Sequence, residues 1–161
     1  DRDGDDALLG DLFSTLDAAE TDMTLLFRAL AEVPISLQAA DEDLLGPLRP
    51  AFYAPAGPNA AGAGEWVGWL RRFTARLRAD ARPQGLRQTA MNLANPRYVA
   101  RNWLAQQAID AAEQGDTSEL ETLITVLRRP YDEQPGRERF VARRPDWARD
   151  RPGCSALSCS S

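Results

Sequence analysis

An amphipathic helical pattern interrupted by one glycine, over residues 95–128, is the feature that most constrains the fold of this chain. Asn95 and Pro96 favour a helix start, with asparagine as N-cap and proline as the first helical residue, where its missing N–H is not needed. We expect the helix to end at Gln114, because Gly115 tolerates the left-handed conformation that follows a helix C-terminus. Its apolar face has three- and four-residue spacing and consists of Ala100, Leu104, Ala105, Ala108, Ile109 and Ala112.

A second helix follows at once. Asp116 and Glu119 have the spacing of a capping box, and Pro130 cannot continue a helix. Because the connection is short, we expect the two helices to be antiparallel neighbours, a helical hairpin over 95–128. The apolar stripe of the second helix consists of Leu120, Leu123, Ile124 and Leu127.

Helical periodicity elsewhere predicts an all-α fold. We expect an amino-terminal helical pair in residues 1–45, with one helix around 8–16 and another that begins near Asp22, and a helical core in 65–149, with helices at 65–81 and 83–93. Residues 46–64 are rich in proline, glycine and alanine, which predicts an exposed loop. Residues 150–161 form a tail without periodicity. Two anchors are expected before it: a short turn docked by Phe140 and Val141, and the ring of Trp147, which we expect to be buried.

The residue types that are absent exclude several chemistries. All nineteen basic residues are arginine, and the chain has no lysine and no histidine. Without lysine there is no P-loop lysine, no Schiff base and no kinase-type lysine on the phosphates of ATP. Without histidine there is no Ser-His-Asp or Cys-His system, and two cysteines alone do not make an ordinary zinc site.

Charge is unevenly distributed along the chain, with twelve acidic residues against three arginines in 1–50 and twelve against sixteen in 51–161. An excess of four arginines spread over helices is weak support for a nucleic-acid partner, which calls for a clustered basic face. Aromatic residues interleave with arginines in the 65–81 helix, but their spacing is that of a core stripe. No run of eighteen apolar residues occurs, so we expect no membrane span. The stripe of that helix consists of Trp66, Trp69, Leu70, Phe73 and Leu77.

Two clusters of polar residues do not follow from helix packing. One lies at the start of the first hairpin helix and includes Asn95, Arg97, Arg101 and Asn102. The other lies between and beside Pro130 and Pro135 and includes Arg128, Arg129, Tyr131 and Asp132. These side chains either satisfy the hydrogen bonds of a neighbouring loop, which is the commoner case, or also buttress a catalytic part from behind. Adjacent Asp132 and Glu133 point to opposite sides of an extended segment, which argues against a shared metal site.

Four sequence runs are distinctive: MNLANPRYVARNWLAQQAIDAAEQGD, VLRRPYDEQP, PDWA at 145–148 and SCSS at 158–161. Their order and spacing resemble the carboxy-terminal region of the selenoprotein O family, also called YdiU. The resemblance is strong over 66–161 and weaker over 1–45, where TLLFRAL resembles a helix of the family.

The resemblance implies the carboxy-terminal helical part of a protein-kinase-like fold whose nucleotide-binding lobes are absent from this chain. The family transfers AMP from ATP, with magnesium or manganese, to protein hydroxyls, and holds the nucleotide in an inverted orientation. The catalytic machinery would lie upstream, so we expect this chain to bind neither ATP nor metal. Its partners would be the missing amino-terminal kinase-like part and the protein substrates. The implied compartment is the bacterial cytoplasm, whereas eukaryotic members are mitochondrial.

The resemblance also gives Cys159 a redox role. Animal members have selenocysteine at this place, and bacterial members have a cysteine reported to pair with one near the active site. Cys154 would be a competing partner. From the residues alone the alternative is two exposed, idle thiols, because neither a helix dipole nor a basic cluster activates them.

A rival hypothesis makes the chain a free-standing helical scaffold that binds a partner through the arginine-rich edge of the hairpin. A reading frame that starts near Asp1 would support the scaffold. Several hundred residues upstream, with a glycine-rich loop and a paired lysine and glutamate, would support the transferase.

Overall fold

The structure is a computed structural model that describes residues 2–17, 20–53 and 62–154. It consists of two compact units, Asp1–Met91 and Asn92–Ser161, so the predicted core of 65–149 is divided between them. Within the described ranges the regular elements are α-helices and short 3-10 turns, and extended pairing is confined to one bridge between Thr21 and Phe52. The all-α prediction is confirmed for these residues.

Among the described residues, the first unit contains four helices and most of a fifth, whose last three residues, 92–94, belong to the second unit. These helices are α1 (Arg2–Asp17), α2 (Met23–Ala29), α3 (Asp41–Leu45), α4 (Ala63–Asp80) and α5 (Gln84–Ala94). Asp22 is the N-cap of α2, where its carboxylate accepts the N–H of Leu25 at 3.0 Å, as expected for a short acidic side chain at this position. The predicted helices near 22, at 65–81 and at 83–93 are confirmed to within two residues at each stated end.

Leucines and tryptophans form the core of the first unit. Trp66 and Trp69 contact edge to face with ring centroids 6.2 Å apart, and the indole N–H of Trp69 donates to the carbonyl of Leu8 at 2.9 Å. This bond ties α4 to α1, because a buried indole N–H needs a partner. The fully buried residues include Leu26, Leu30, Leu44, Leu45, Leu48, Trp66, Trp69 and Leu70.

The predicted exposed loop at 46–64 is wrong for its first part. Gly46–Ala51 is a 3-10 turn, in which Leu48 is fully buried, and the next residue, Phe52, is buried against Trp66. Backbone pairing fixes this segment in place, because the carbonyl of Ala51 accepts the N–H of Asp22 at 2.7 Å. Residues 54–61 lie outside the described residues.

The second unit is built on a helical hairpin of α6 (Asn102–Glu113) and α7 (Ser118–Leu127), followed by 3-10 turns at Glu138–Phe140 and Asp146–Ala148. The predicted hairpin and its Gly115 stop, with φ of +88°, are confirmed. The predicted start at Asn95 and Pro96 is wrong by several residues, because residues 95–101 are not helical. The N-cap of α7 is Thr117 rather than the predicted Asp116, whose carboxylate accepts the N–H of Ser118.

The core of the second unit is small and partly aromatic. It buries Phe140, as predicted, but the ring of Trp147 is 46% exposed and the buried member of that turn is Ala148. The predicted stripes are wrong for Ile109, Leu120 and Ile124, which are 49%, 39% and 44% exposed. The buried residues are Tyr98, Trp103, Leu104, Ala108, Leu123, Val126, Phe140, Ala148 and Cys154.

Candidate functional site

The two polar clusters of the sequence meet in the second unit, where residues 95–101 and 128–134 form what we call the proline clasp. The carbonyl oxygen of Pro130 accepts the backbone N–H groups of Arg97 at 2.7 Å and Tyr98 at 3.0 Å. A carbonyl oxygen has two lone pairs, so both bonds can form at once. In the predicted helix these would be the N–H groups of the second and third residues, which have no intrahelical acceptor and which an Asn95 N-cap would accept, so the Pro130 carbonyl takes the place of the predicted cap.

Two buried side chains complete the clasp. The hydroxyl of Tyr98, which is 2% exposed, donates to the carbonyl of Gln134 at 3.4 Å. The side-chain amide of Gln134 donates to the carbonyls of Val126 at 3.0 Å and Arg129 at 2.8 Å. Carbonyls at a helix C-terminus lack intrahelical partners, so Gln134 stabilises the end of α7 and fixes the segment that follows.

Ion pairs lie on the outer side of the clasp. Arg97 pairs with Glu133 at 3.2 Å, and Arg129 lies 3.8 Å from Asp132. The two adjacent carboxylates therefore face different arginines. Exposed pairs of this kind contribute about 0–1 kcal/mol each, so the backbone and the buried amide hold the clasp.

The remaining predicted site residues lie around this crossing. Arg101 is the N-cap of α6, and Asn102 is its first residue; both are half-buried, as is Asn95. Arg128 and Tyr131 are exposed, with Tyr131 at 44%. Sequence reasoning missed Tyr98 and Gln134. Tyr98 is the one aromatic residue of the 95–101 segment and was a usable signal, whereas nothing in the sequence marks Gln134 as buried.

A shallow groove of about 470 Å³ lies beside α6 in the same unit. It contains the ion pairs Arg139–Glu119 and Arg151–Asp110. Gln106 and then Arg151 hold the pKa of Asp110 below its usual value by hydrogen bonding to the carboxylate. Because each of these charges already has a partner, the groove offers no uncompensated charge to a ligand. Its lining is Gln107, Asp110, Ala111, Gln114, Glu119, Arg139, Trp147 and Arg151.

Cys154 is 4% exposed and belongs to the core of the second unit. Its burial contradicts both the expectation of an exposed thiol and a ready role as the competing partner of Cys159, since disulfide exchange needs access to the sulfur. Cys159 lies outside the described residues. The described ranges contain no group of three acidic or cysteine side chains that could hold a metal ion.

Among the described residues, no helix combines the length and apolar character needed to cross a membrane. No protein-family model matches the chain. Curated relatives do. A protein nucleotidyltransferase YdiU of Nitrosospira multiformis is 49% identical over 98% of the chain, and that of Aromatoleum aromaticum is 50% identical over 99%. The protein of the same name from Xanthomonas axonopodis pv. citri is 51% identical over 99%.

The chain corresponds to the carboxy-terminal region of the YdiU proteins. The resemblance found in the sequence is thus confirmed. It also holds over the amino-terminal helices, where the sequence motifs resembled the family less strongly. The chain spans 31%, 29% and 30% of the length of these three YdiU relatives. The clasp therefore belongs to a region that these relatives carry together with a much longer remainder.

Proposed function

We propose that this chain is the carboxy-terminal helical part of a protein nucleotidyltransferase that transfers AMP from ATP to serine, threonine or tyrosine hydroxyls of proteins. The observation that carries the proposal is identity near 50% over almost the whole chain to proteins named protein nucleotidyltransferase YdiU. The AMP group, the protein hydroxyls and the kinase-like fold come from the family resemblance.

The role of this part is positional. ATP and magnesium or manganese bind the remainder of the protein, because this chain has no lysine to contact the phosphates. The proline clasp supplies rigidity instead of chemistry: one carbonyl and one buried amide fix two segments, and the second of them exposes Arg128 and Tyr131. A fixed segment can support a neighbouring catalytic part, since supporting residues preserve the geometry of reacting groups.

Transfer of label from α-³²P-ATP to protein tests this proposal. We expect the intact polypeptide to label acceptor protein with magnesium or manganese present, and the 161-residue chain alone to leave it unlabelled. Label from γ-³²P-ATP should stay off the acceptor, because AMP transfer releases pyrophosphate. Labelling by the 161-residue chain alone would contradict the positional role, and labelling from γ-³²P-ATP only would indicate a kinase.

We also propose that Cys159 forms a reversible disulfide in the intact protein, as the family resemblance implies. The burial of Cys154 supports a partner outside this chain. Mass spectrometry of the oxidised intact protein should find Cys159 joined to a cysteine of the remainder, and reduction should release it. A disulfide between Cys159 and Cys154 would contradict the proposed partner, and Cys159 found only as free thiol would contradict the redox role. The bacterial cytoplasm is the proposed compartment.

A further inference from the structure

Helix α5 is packed with its polarity reversed. Its leucines Leu86 and Leu93 are 63% and 68% exposed, whereas Arg87 between them is only 4% exposed. An amphipathic surface helix normally buries its leucines and exposes its arginines.

The environment of Arg87 makes the reversal costly. Its Nη2 donates a long hydrogen bond of 3.4 Å to the carbonyl of Val33. Within the described part of the chain, its Nε and Nη1 are buried and have no hydrogen-bond partner. Burial lowers the pKa of Arg87, and the charge of Glu32 only partly opposes this effect. A buried guanidinium with donors unmet destabilises a fold, so this orientation of α5 costs the first unit stability.

The exposed face has the spacing of a docking helix. Leu86, the half-buried Ala90 and Leu93 stand at positions i, i+4 and i+7, which places them on one stripe of the helix. This is the spacing with which helices enter apolar grooves. On the opposite side, Met91 packs against the core of the first unit, so α5 is held in place with its leucine stripe outward.

We propose that this stripe docks into an apolar groove on the remainder of the longer polypeptide, an inference that rests on the proposed function. The relatives extend well beyond the region that the chain matches, so a large covalently linked partner is available. The area of the stripe favours this occupant over a second copy. Two leucines and an alanine fall far short of the roughly 800 Å² per partner of a stable free complex, whereas a tethered contact benefits from a high effective concentration.

Photo-crosslinking in the intact polypeptide tests the occupant. We would replace Leu86 or Leu93 by p-benzoylphenylalanine, and Leu37 as the matched control, because Leu37 is 75% exposed and lies in a turn that is not part of α5. After irradiation, we expect peptides from outside the 161 residues to be joined to positions 86 and 93 but not to 37. Cross-links to a second copy, cross-links confined to the 161 residues, or a yield no higher than at position 37 would overturn the proposal.

Hydrogen exchange of intact polypeptide carrying Leu86→Asp and Leu93→Asp gives a second measurement. Both positions are exposed, so the first unit should keep its own protection. We expect at least tenfold faster exchange in the segment identified by cross-linking, and no change there with Leu37→Asp. Unchanged exchange in that segment would contradict docking.

The nucleotide-transfer assay separates the two proposals. Cross-links to the remainder in a protein that transfers no AMP would leave docking intact and remove the proposed function. AMP transfer by a protein without such cross-links would leave the proposed function intact and overturn docking.

Discussion

Different interactions stabilise the two units of the molecule. The first has a continuous core of leucines and tryptophans, with ion pairs such as Arg76–Asp5 on its surface and nine arginines against fourteen acidic residues. The second has ten of each, a smaller core, and a clasp made from one proline carbonyl and one glutamine amide. Apolar area thus dominates one unit, whereas a few directional bonds position the other.

The comparison teaches where each unit is vulnerable. A core of many side chains distributes its stability, so a single loss is large only at a central residue. A clasp of few bonds weakens when one buried polar group is removed, because its former partners stay buried with fewer hydrogen bonds. Five substitutions test this difference, and we give them from the largest expected effect to the smallest.

Trp69→Ala should have the largest effect. The ring is 2% exposed and its N–H is bonded to Leu8, so we expect a loss of about 3–5 kcal/mol in the free energy of unfolding of the first unit. Trp147→Ala in the second unit is the control and should cost much less, because that ring is 46% exposed. Urea denaturation read by hydrogen exchange in each unit measures both. Equal losses would remove the contrast between core and surface tryptophan.

Gln134→Ala should destabilise the second unit by about 1–3 kcal/mol, because two buried hydrogen bonds of roughly 0.5–1.5 kcal/mol each are lost and the carbonyls of Val126 and Arg129 keep only backbone donors at 3.3 Å. Exchange of the amides at the end of α7 should accelerate with it. Gln114→Ala is the control: Gln114 is exposed and donates to a carbonyl of its own helix, so we expect a change within about 0.5 kcal/mol. A similarly small change for Gln134 would show that the clasp does not depend on this amide.

Arg87→Met should stabilise the first unit by about 1 kcal/mol, since methionine fills much of the volume without a poorly satisfied charge. The exposed Arg82, which pairs with Asp80 at 3.4 Å, is the control, and Arg82→Met should be nearly neutral. The melting temperature measures both. A marked destabilisation by Arg87→Met would mean that the bond to Val33 outweighs the desolvation of the guanidinium.

Asp110→Asn tests the surface pairs, where we expect the smallest effect. The pKa of Asp110 is lowered in the fold by Gln106 first and then by Arg151, so its contribution is complete above the unfolded pKa of about 3.9. It is lost as pH falls through the lower folded pKa. Melting temperatures between pH 6 and pH 2 should therefore fall less steeply below pH 4 in Asp110→Asn than in the unchanged chain.

Asp5→Asn offers the matched measurement in the first unit, because Arg76 lowers the pKa of Asp5 by hydrogen bonding. Both variants should show the same sign. An opposite pH dependence in either variant would mean that its carboxylate is not stabilised in the folded state.

The sequence predicted the parts of the molecule that depend on local pattern. Helix α4 was predicted to within two residues because its aromatic stripe has helical spacing and Pro83 follows it. The start of α6 was wrong because Asn95-Pro96 is a local helix signal, and the Pro130 carbonyl, more than thirty residues away, takes the N–H groups of Arg97 and Tyr98. The residues beside the Asn95-Pro96 motif give no sign of an acceptor so far away in the sequence.

The candidate site was predicted from sequence resemblance more than from physical reasoning about its residues. Its two segments were found separately, but the bonds between them are tertiary and have no periodic signal. Residues 46–53 show the same limit, because a proline- and glycine-rich composition hid the two side chains, Leu48 and Phe52, that enter the core. The sequence also did not reveal that α5 exposes its leucines, since helical periodicity identifies an apolar face without showing what covers that face.

Gly153 carries a consequence of its own. Its φ is +82°, and a methyl group there would collide with the side-chain oxygen of Gln106. The Gln106 amide would have to move, and with it the N–H that donates to Asp110. A single added carbon would thus disturb both the backbone and the acidity of a distant carboxylate. A saturation library should recover glycine alone at 153, whereas the open position of Gly115 should also accept asparagine, the residue that best tolerates a left-handed backbone.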